Sequence, residues 1–387
     1  MGSSARAWVA NCPSQAANPG AKIALAVPRV EPSLCRYPIA VFPMRTSLLL
    51  VGVAAALALA PSRLPAADSK ARFLKLIDRP RVPLAAEAKD APPRDGLVQI
   101  DFSFASDAAN RVPGIILKSA TAAPDRRRPV VICLHGTGGS KMSDVAFMSE
   151  LAKTGFIAVS IDGRYHGARA KSGKGSVEYV DAILRTFRTG EEKPFFFDTV
   201  WDVMRLVDYL ETRPDVDPKR IGLFGISKGG IETYLTAAVD PRIAAAVPCI
   251  GVESFQWAVE NNSWQSRIGT VQAAFDAAAK DRGIEKPGAE FVHTFYSRVA
   301  PGLDREFDGP AMLPLIAPRP LLSINGEIDP RTPLPGLQLC LDAARPLYHA
   351  AGADEKLVLR IQPQTGHKVN PDSFVAAQEW FVRWLKP

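Results

Sequence analysis

Apolar and polar residues alternate in two neighbouring stretches of the chain. The stretches are LVQIDFSFA at residues 97–105 and VPGIILKSA at residues 112–120, with a polar segment between them. Alternation with a period of two is typical of a strand that is buried on one face only. Two such runs joined by a short polar connection predict an antiparallel hairpin.

Short continuous apolar runs replace this alternation from residue 128 onward. They are predicted to be buried strands, at residues 128–136, 155–163, 220–227, 242–252, 319–329 and 356–367. Segments with helical periodicity separate several of them, at residues 145–154, 197–214, 230–239 and 371–385. Uninterrupted apolar strands that alternate with helices predict an α/β fold, with a mostly parallel central sheet covered by helices on both faces.

Residues 253–318 interrupt this alternation of strands and helices. The segment has a helical pattern and is rich in aromatic residues, among them Trp257, Trp264, Phe275 and Phe291. Long insertions between core strands are often lids, but aromatic side chains also commonly pack on one another in a core. The sequence leaves both interpretations of this cap-like insertion open.

The N-terminal region carries the features of an export signal. A basic residue in MRTS at residues 44–47 precedes an apolar, uncharged run at residues 48–60, and Ala66 and Ala67 offer a cleavage site. This order is typical of a secretory signal peptide, and the apolar run is shorter than the roughly 20 residues that span a bilayer. We expect a signal peptide at residues 44–67, export to the periplasm or the extracellular space, and no stable membrane span after cleavage.

The rest of the chain divides by composition. Residues 1–43 have no clear periodicity and are expected to be a misplaced start or an unstructured extension. Residues 68–96 are rich in proline, alanine and charged residues, and are expected to form a linker or a strap over the surface. Residues 97–387 are expected to form the α/β domain, including the insertion at residues 253–318.

Charge and cysteine content exclude several classes of protein. Residues 1–67 hold six of the 47 basic residues and one of the 40 acidic residues, so residues 68–387 carry a net charge of only +2. This near balance gives no reason to expect a nucleic-acid partner. Three of the five cysteines lie beyond residue 67, and Cys133 and Cys249 fall within apolar runs, so we expect buried thiols and neither a disulfide scaffold nor a metal site.

The motif GISKG at residues 225–229 lies where a predicted buried strand ends and a predicted helix begins. By itself G-x-S-x-G is a weak signal, because glycine and serine are common. A sharp turn from strand to helix, however, strains the serine backbone and displays the hydroxyl, and flanking glycines allow the strand and the helix to approach closely. Ser227 is therefore predicted to be a nucleophile.

A serine nucleophile needs a base and an acid that orients the base. His367 and Asp329 follow the last two predicted strands, at the carboxyl edge where a parallel sheet builds its site, and the chain order Ser227, Asp329, His367 is that of α/β-hydrolases. Glu327 is a rival for the acid, and His293 in the insertion is a rival for the base. His349 is expected to be structural.

The developing oxyanion would need two backbone N–H donors. The amide of Lys228 follows the nucleophile, and the loop HGTGGS at residues 135–140 offers Thr137, with Gly138 as the second choice. A Walker lysine or G-x-G-x-x-G pattern does not accompany this glycine-rich loop, which disfavours a nucleotide site.

These motifs resemble the serine α/β-hydrolases near dienelactone hydrolase, the acetyl xylan esterases and the catalytic domain of prolyl oligopeptidase. The resemblance covers residues 97–387 and is carried by HGTGG, DGRYHGAR, DPKRIGLFGISKGG, INGEIDPRTP and GH. It implies an α/β-hydrolase fold, hydrolysis of a small-molecule ester or a peptide through an acyl-enzyme, and no cofactor.

The chain also departs from each of these relatives. Dienelactone hydrolases characteristically carry cysteine where this chain has Ser227. The acetyl xylan esterases that deacetylate cephalosporins carry Arg-Gly-Gln after the fourth strand, where this chain has Arg164-Tyr165-His166. The segment before the first strand is too short for the propeller of prolyl oligopeptidase. The strand-to-helix turn GISKGG at residues 225–230, called the elbow from here on, is similar to that of acyl-CoA thioesterases. An exported serine carboxylesterase is the leading hypothesis, a peptidase or an acyl-thioesterase is the alternative, and a non-catalytic binding module is the hypothesis from a different class. The sequence leaves the oligomeric state open.

Overall fold

A computed structural model of the protein describes residues 66–121, 126–173 and 175–386. The predicted extension at residues 1–43, and residues 44–65 of the predicted signal peptide, lie outside the described residues. Within these ranges, every helix is too short or too polar to span a bilayer.

The described residues form a mixed sheet of nine strands in the order β1-β2-β3-β5-β4-β6-β7-β8-β9. The strands are β1 (Glu87–Asp90), β2 (Leu97–Ala105), β3 (Arg111–Ser119), β4 (Arg128–Leu134), β5 (Ile157–Ile161), β6 (Val216–Ile226), β7 (Ile243–Cys249), β8 (Leu321–Gly326) and β9 (Leu357–Gln362). Strands β1 to β3 pair antiparallel, and β3 joins β5 antiparallel. From β5 to β9 every pairing is parallel. The predicted hairpin and parallel sheet are both confirmed.

Twelve α-helices accompany the sheet within the described ranges. They are α1 (Ala66–Ile77), α2 (Val145–Lys153), α3 (Gly175–Thr189), α4 (Phe197–Glu211), α5 (Lys228–Val239), α6 (Phe255–Glu260), α7 (Gln265–Ile268), α8 (Gln272–Asp281), α9 (Ala289–Val299), α10 (Gly309–Met312), α11 (Leu334–Ala350) and α12 (Pro371–Leu385). Helices α2 and α12 cover one face of the sheet, and the remaining helices pack on the other.

The strand sequences explain why both faces are covered. Val130, Ile132 and Leu134 of β4 belong to one hydrophobic cluster, whereas Val131 and Cys133 belong to the other. Successive side chains of a strand point to opposite faces, so an uninterrupted apolar strand requires a hydrophobic layer on each side. The fold is that of an α/β-hydrolase, as predicted.

The segment at residues 68–96 contains more regular structure than a linker or strap. Helix α1 buries Phe73 and Ile77 completely or almost completely in the larger cluster. Strand β1 extends the sheet by pairing with β2. The proline-rich stretch after α1 dominated the composition of this segment and concealed the amphipathic helix before it.

The insertion at residues 253–318 supplies α6 to α10 between β7 and β8. Its aromatic side chains pack largely on one another, with Phe275 next to Phe291, Phe295 and Trp264 at centroid separations of 5.0, 5.3 and 5.9 Å. The insertion is thus a helical layer with a core of its own that is continuous with the larger cluster.

Candidate active site

Ser227 occupies a strained turn between β6 and α5. Its backbone has φ 57° and ψ −113°, a region that residues with a side chain rarely adopt. A Cβ atom on Gly225 would lie 2.2 Å from the carbonyl oxygen of Gly229, and one on Gly229 would lie 2.1 Å from that of Leu134. Only glycine fits at these two positions, so the sequence around Ser227 dictates the turn.

Three predicted site residues lie in one hydrogen-bonded row at the carboxyl edge of the sheet. The Oγ atom of Ser227 lies 2.7 Å from Nε2 of His367, and Nδ1 of His367 lies 2.7 Å from Oδ2 of Asp329. Ser227 is 9% exposed and the imidazole is 14% exposed. The row is therefore reachable from solvent at the serine end, while its carboxylate end is buried.

The loop after β8 holds Asp329 from several directions. The backbone N–H of Arg331 donates to Oδ1 at 2.9 Å, and the hydroxyl of Thr332 donates to Oδ2 at 2.8 Å. The same hydroxyl oxygen lies 2.7 Å from Oδ1 of Asn325, so its single proton is shared between these two acceptors. These contacts fix the carboxylate toward His367. Sequence reasoning did not single out Thr332, although its position three residues after the acid was a usable signal.

Burial and charge set the protonation of the His367–Asp329 pair. Burial lowers the pKa of His367 below its usual value, the hydrogen bond and charge of Asp329 oppose this, and the charges of Arg267 and Arg331 lower it further. Burial would raise the pKa of Asp329, but its hydrogen bond and charge interaction with His367 hold that pKa below its usual value. A neutral imidazole beside an ionised carboxylate is the state that a general base requires.

The glycine-rich loop after β4 lies against the elbow. A Cβ atom on Gly136 would lie 3.6 Å from Cβ of Ser227. The ring of His135 fixes this loop, because Nδ1–H donates to the carbonyl of Gly136 at 2.8 Å and Nε2 accepts from the amide of Gly163 at 3.0 Å. Burial, with the nearby charge of Lys228, lowers the pKa of His135 to about 4, so the ring stays neutral.

The two predicted oxyanion donors belong to the segments that meet at Ser227. Thr137 follows Gly136 in the loop, and Lys228 is the first residue of α5, where helix amides have no intrahelical acceptor. Only the backbone amide of Lys228 is predicted to act as a donor, since Nζ of its side chain forms a buried ion pair with Glu232 one turn later.

The rival residues lie elsewhere. His293 pairs through Nδ1 with Asp304 inside the insertion, and His349 is an exposed residue of α11 that contacts Asp354 at 3.2 Å. Glu327 is exposed and accepts the backbone N–H of Gln364 at 2.8 Å. The structure brings none of these three side chains into the row formed by Ser227, His367 and Asp329.

Cys133 and Cys249 are buried thiols, as predicted. Within residues 66–121, 126–173 and 175–386, no group of three or more His, Cys, Asp or Glu side chains is placed to hold a metal ion.

The sequence is similar to known esterases. Residues 94–260 match the protein family described as acetyl xylan esterase (AXE1). The Bacillus subtilis (strain 168) protein named "Putative hydrolase YtaP" is 28% identical over 248 residues, which cover 64% of this chain and 71% of that protein. Acetyl esterase Axe7A of Xylanibacter ruminicola is 26% identical over 149 residues, and 4-O-methyl-glucuronoyl methylesterase 1 of Wolfiporia cocos is 27% identical over 157 residues.

These two esterases are matched over only part of their length. The alignments cover 37% and 40% of this chain, and 33% and 36% of Axe7A and of the Wolfiporia cocos enzyme. The family match at residues 94–260 includes Ser227.

Solved structures share the fold over most of the chain. The acetyl xylan esterase from Paenibacillus sp. R4 superposes with a TM-score of 0.57 at 18% identity, covering 83% of this chain and 93% of that one. The glucuronoyl esterase from Solibacter usitatus gives a TM-score of 0.56 at 15% identity, covering 81% and 91%. At these identities the likeness establishes the fold.

Proposed function

Since the chain is a serine α/β-hydrolase of the dienelactone hydrolase-like group, whose reaction is the hydrolysis of carboxylic esters, we propose that Ser227, His367 and Asp329 are its catalytic triad. The observation that carries the proposal is the continuous row of 2.7 Å contacts from the serine hydroxyl through the imidazole to the carboxylate. Hydroxyl, base and orienting acid are thus within hydrogen-bond reach of one another before substrate binds.

In the first half of the reaction, Ser227 Oγ attacks the ester carbonyl carbon while Nε2 of His367 takes the hydroxyl proton. The resulting imidazolium is stabilised by Asp329, which also keeps the proton on Nδ1 and so leaves Nε2 free to accept. When the tetrahedral intermediate collapses, Nε2 returns the proton to the leaving alcohol. The acyl group then remains on Ser227.

In the second half, water replaces the alcohol. His367 removes a proton from the water, the hydroxide attacks the acyl carbon, and the proton returns to Ser227 Oγ as the acid leaves. In both halves the amides of Lys228 and Thr137 would bind the oxyanion. The Lys228 amide is supported by its place at the start of α5, where the helix dipole favours negative charge.

For the substrate class, we propose esters carried on carbohydrates, either O-acetyl groups or methyl esters of uronic acids. The support is the family match to acetyl xylan esterase and the similarity to 4-O-methyl-glucuronoyl methylesterases. An exported enzyme would meet polysaccharides that carry these esters. The predicted signal peptide at residues 44–67 supports export to the periplasm or the extracellular space.

A labelling experiment combined with a substrate panel tests this function. Purified protein is incubated with a fluorophosphonate probe and then assayed on p-nitrophenyl acetate, acetylated xylan, a methyl ester of glucuronic acid, an acyl-CoA and a prolyl peptide anilide. Labelling of Ser227 together with turnover of the carbohydrate esters is expected.

The other outcomes separate the alternatives. Labelling with turnover of only the peptide or only the acyl-CoA would identify a peptidase or a thioesterase. Absence of both labelling and turnover would favour the hypothesis of a non-catalytic binding module. Export is tested separately, by sequencing the N-terminus of the mature protein from cell fractions.

A further inference from the structure

Arg267, on the short helix α7 of the insertion, reaches the loop that carries Asp329. Its side chain is 4% exposed, and Nη2 lies 2.6 Å from Oε1 of Glu253, just after β7. The same nitrogen donates a 3.1 Å hydrogen bond to the carbonyl oxygen of Arg331. A single buried guanidinium therefore joins three segments: the loop after β7, the insertion and the loop after β8.

The contact with Arg331 bears directly on the triad acid. The amide of Arg331 donates to Oδ1 of Asp329 at 2.9 Å, while its carbonyl accepts from Arg267. Moving that residue would therefore move a donor of Asp329. Both contacts are made by Nη2, whose two N–H bonds have directions fixed by the guanidinium plane, whereas a lysine ammonium rotates freely.

We propose that Arg267 is a positioning residue for the proposed ester hydrolysis, which fixes the loop carrying Asp329 to the insertion and places a positive charge beside the triad. This inference rests on the proposed function. Through Arg267 the insertion would help to position the triad, whether or not it also covers the site.

Glu253 does not fully neutralise that charge. Burial raises the pKa of Glu253 to about 8, Arg267 opposes the rise, and the neighbouring carboxylates Asp308 and Asp329 add to it. Arginine keeps its proton throughout this range. The raised pKa means that Glu253 offsets the charge of Arg267 less than a carboxylate of ordinary pKa would.

The charge acts on His367 together with other groups. Burial lowers the pKa of His367 and Asp329 opposes that effect, while the cations Arg267 and Arg331 disfavour the imidazolium. The titratable and charged groups that face the Arg267–Glu253 pair from the other packed elements are Tyr179 of α3, Tyr234 of α5, Tyr296 of α9, Asp308 before α10, Asp329 and Arg331 after β8, and His367 after β9. Burial raises the pKa of each of the three tyrosines, which stay neutral.

Two kinds of substitution separate position from charge. Arg267→Lys keeps the positive charge but loses the planar guanidinium, so kcat should fall about tenfold. The acidic limb of the profile of kcat/KM against pH should stay in place. Arg267→Gln removes both the charge and the guanidinium, so kcat should fall by about tenfold or more. Because the charge of Arg267 lowers the pKa of His367, the acidic limb should move to higher pH by about half a unit or more. KM should change less than kcat in both variants.

Arg267→Gln leaves Glu253 without its partner, so the double variant Arg267→Gln with Glu253→Gln is measured beside it. It removes both charges, should fold, and should show the same upward shift of the acidic limb. Arg282→Gln is the matched control, since Arg282 is an exposed arginine of the same insertion. This control should retain the kcat and pH profile of the unmodified protein.

The proposal is overturned if the folded double variant keeps the kcat and the acidic limb of the control. It is also overturned if Arg267→Lys and Arg267→Gln lower thermal stability while kcat/KM and its pH profile remain those of the control, since Arg267 would then serve folding only. Failure of the proposed function is distinguishable, because the unmodified protein itself would then lack ester turnover.

Discussion

Nε2 of His367 lies 2.7 Å from Oγ of Ser227, although the two residues are 140 positions apart in the sequence. Each stands at the carboxyl end of a different parallel strand, Ser227 after β6 and His367 after β9. The sheet brings them to one edge, and Asp329 after the intervening strand β8 completes the row. The predictions below test what this arrangement does.

Replacing Ser227, the proposed nucleophile, should stop the reaction without unfolding the protein. Ser227→Ala removes only one hydroxyl, so turnover of p-nitrophenyl acetate should fall by about 10³-fold or more with no loss of thermal stability. Ser297→Ala, at an exposed position of α9, is the matched control and should keep full activity. Activity that survives in purified Ser227→Ala would mean that another residue is the nucleophile.

Replacing His367, the proposed base, should be as damaging as replacing Ser227. His367→Ala leaves the serine hydroxyl without a proton acceptor, so kcat should fall by about 10³-fold or more at neutral pH. His293→Ala is the control, because His293 is paired with Asp304 in the insertion. A greater loss in the control than in His367→Ala would assign the base to His293.

Replacing Asp329, the proposed orienting acid, tests the choice between two nearby carboxylates. Asp329→Asn preserves shape but favours the wrong imidazole tautomer, so kcat should fall by about 10³ to 10⁴-fold. Glu327→Gln alters an exposed carboxylate that contacts Gln364, and should leave kcat nearly unchanged. If the two variants exchange these results, the acid is Glu327.

The pH profile should show one acidic limb. His367 must be neutral to act as a base, so kcat/KM should fall as the pH drops through its pKa. Burial, with help from Arg267 and Arg331, lowers that pKa, so the midpoint should lie below the usual histidine value of about 6.5. A midpoint above that value would mean that the charge of Asp329 outweighs burial.

The backbone of the elbow should tolerate no side chain. Gly225→Ala would place a methyl group 2.2 Å from the carbonyl oxygen of Gly229, so α5 must shift and the protein should lose at least about 2 kcal/mol of stability together with its activity. Gly269→Ala is the control, because φ is −54° and the added carbon would have no atom within 4 Å apart from those of neighbouring residues in the chain. Thermal melts of both variants measure the difference.

Much of the fold follows from local pattern. Continuous apolar runs located all six strands from β4 to β9, and β4, β5 and β8 are buried at every position. Ser227, Asp329 and His367 followed from strand ends and chain order, since the carboxyl ends of parallel strands share one edge. For the same reason, placing residues on the strands was enough to predict their proximity.

Contacts made between distant segments were not predictable in this way. Arg267 meets Glu253, 14 residues earlier, and Arg331, 64 residues later, and no spacing in the sequence marks these partners. Helix α1 was missed for a different reason: its apolar face precedes a proline-rich stretch that determined the composition of the whole segment. The burial of Phe73 depends on contacts with distant segments in the larger cluster, so it follows from the tertiary structure and not from the local sequence.

The triad itself is tested most sharply by stopping the reaction with p-nitrophenyl acetate at early times and locating the acetyl group by peptide mass mapping. The acetyl group should be found on the peptide that contains Ser227, and it should be missing from Ser227→Ala. An acetyl group on a different residue, or steady turnover that never acylates Ser227, would contradict the triad proposed here.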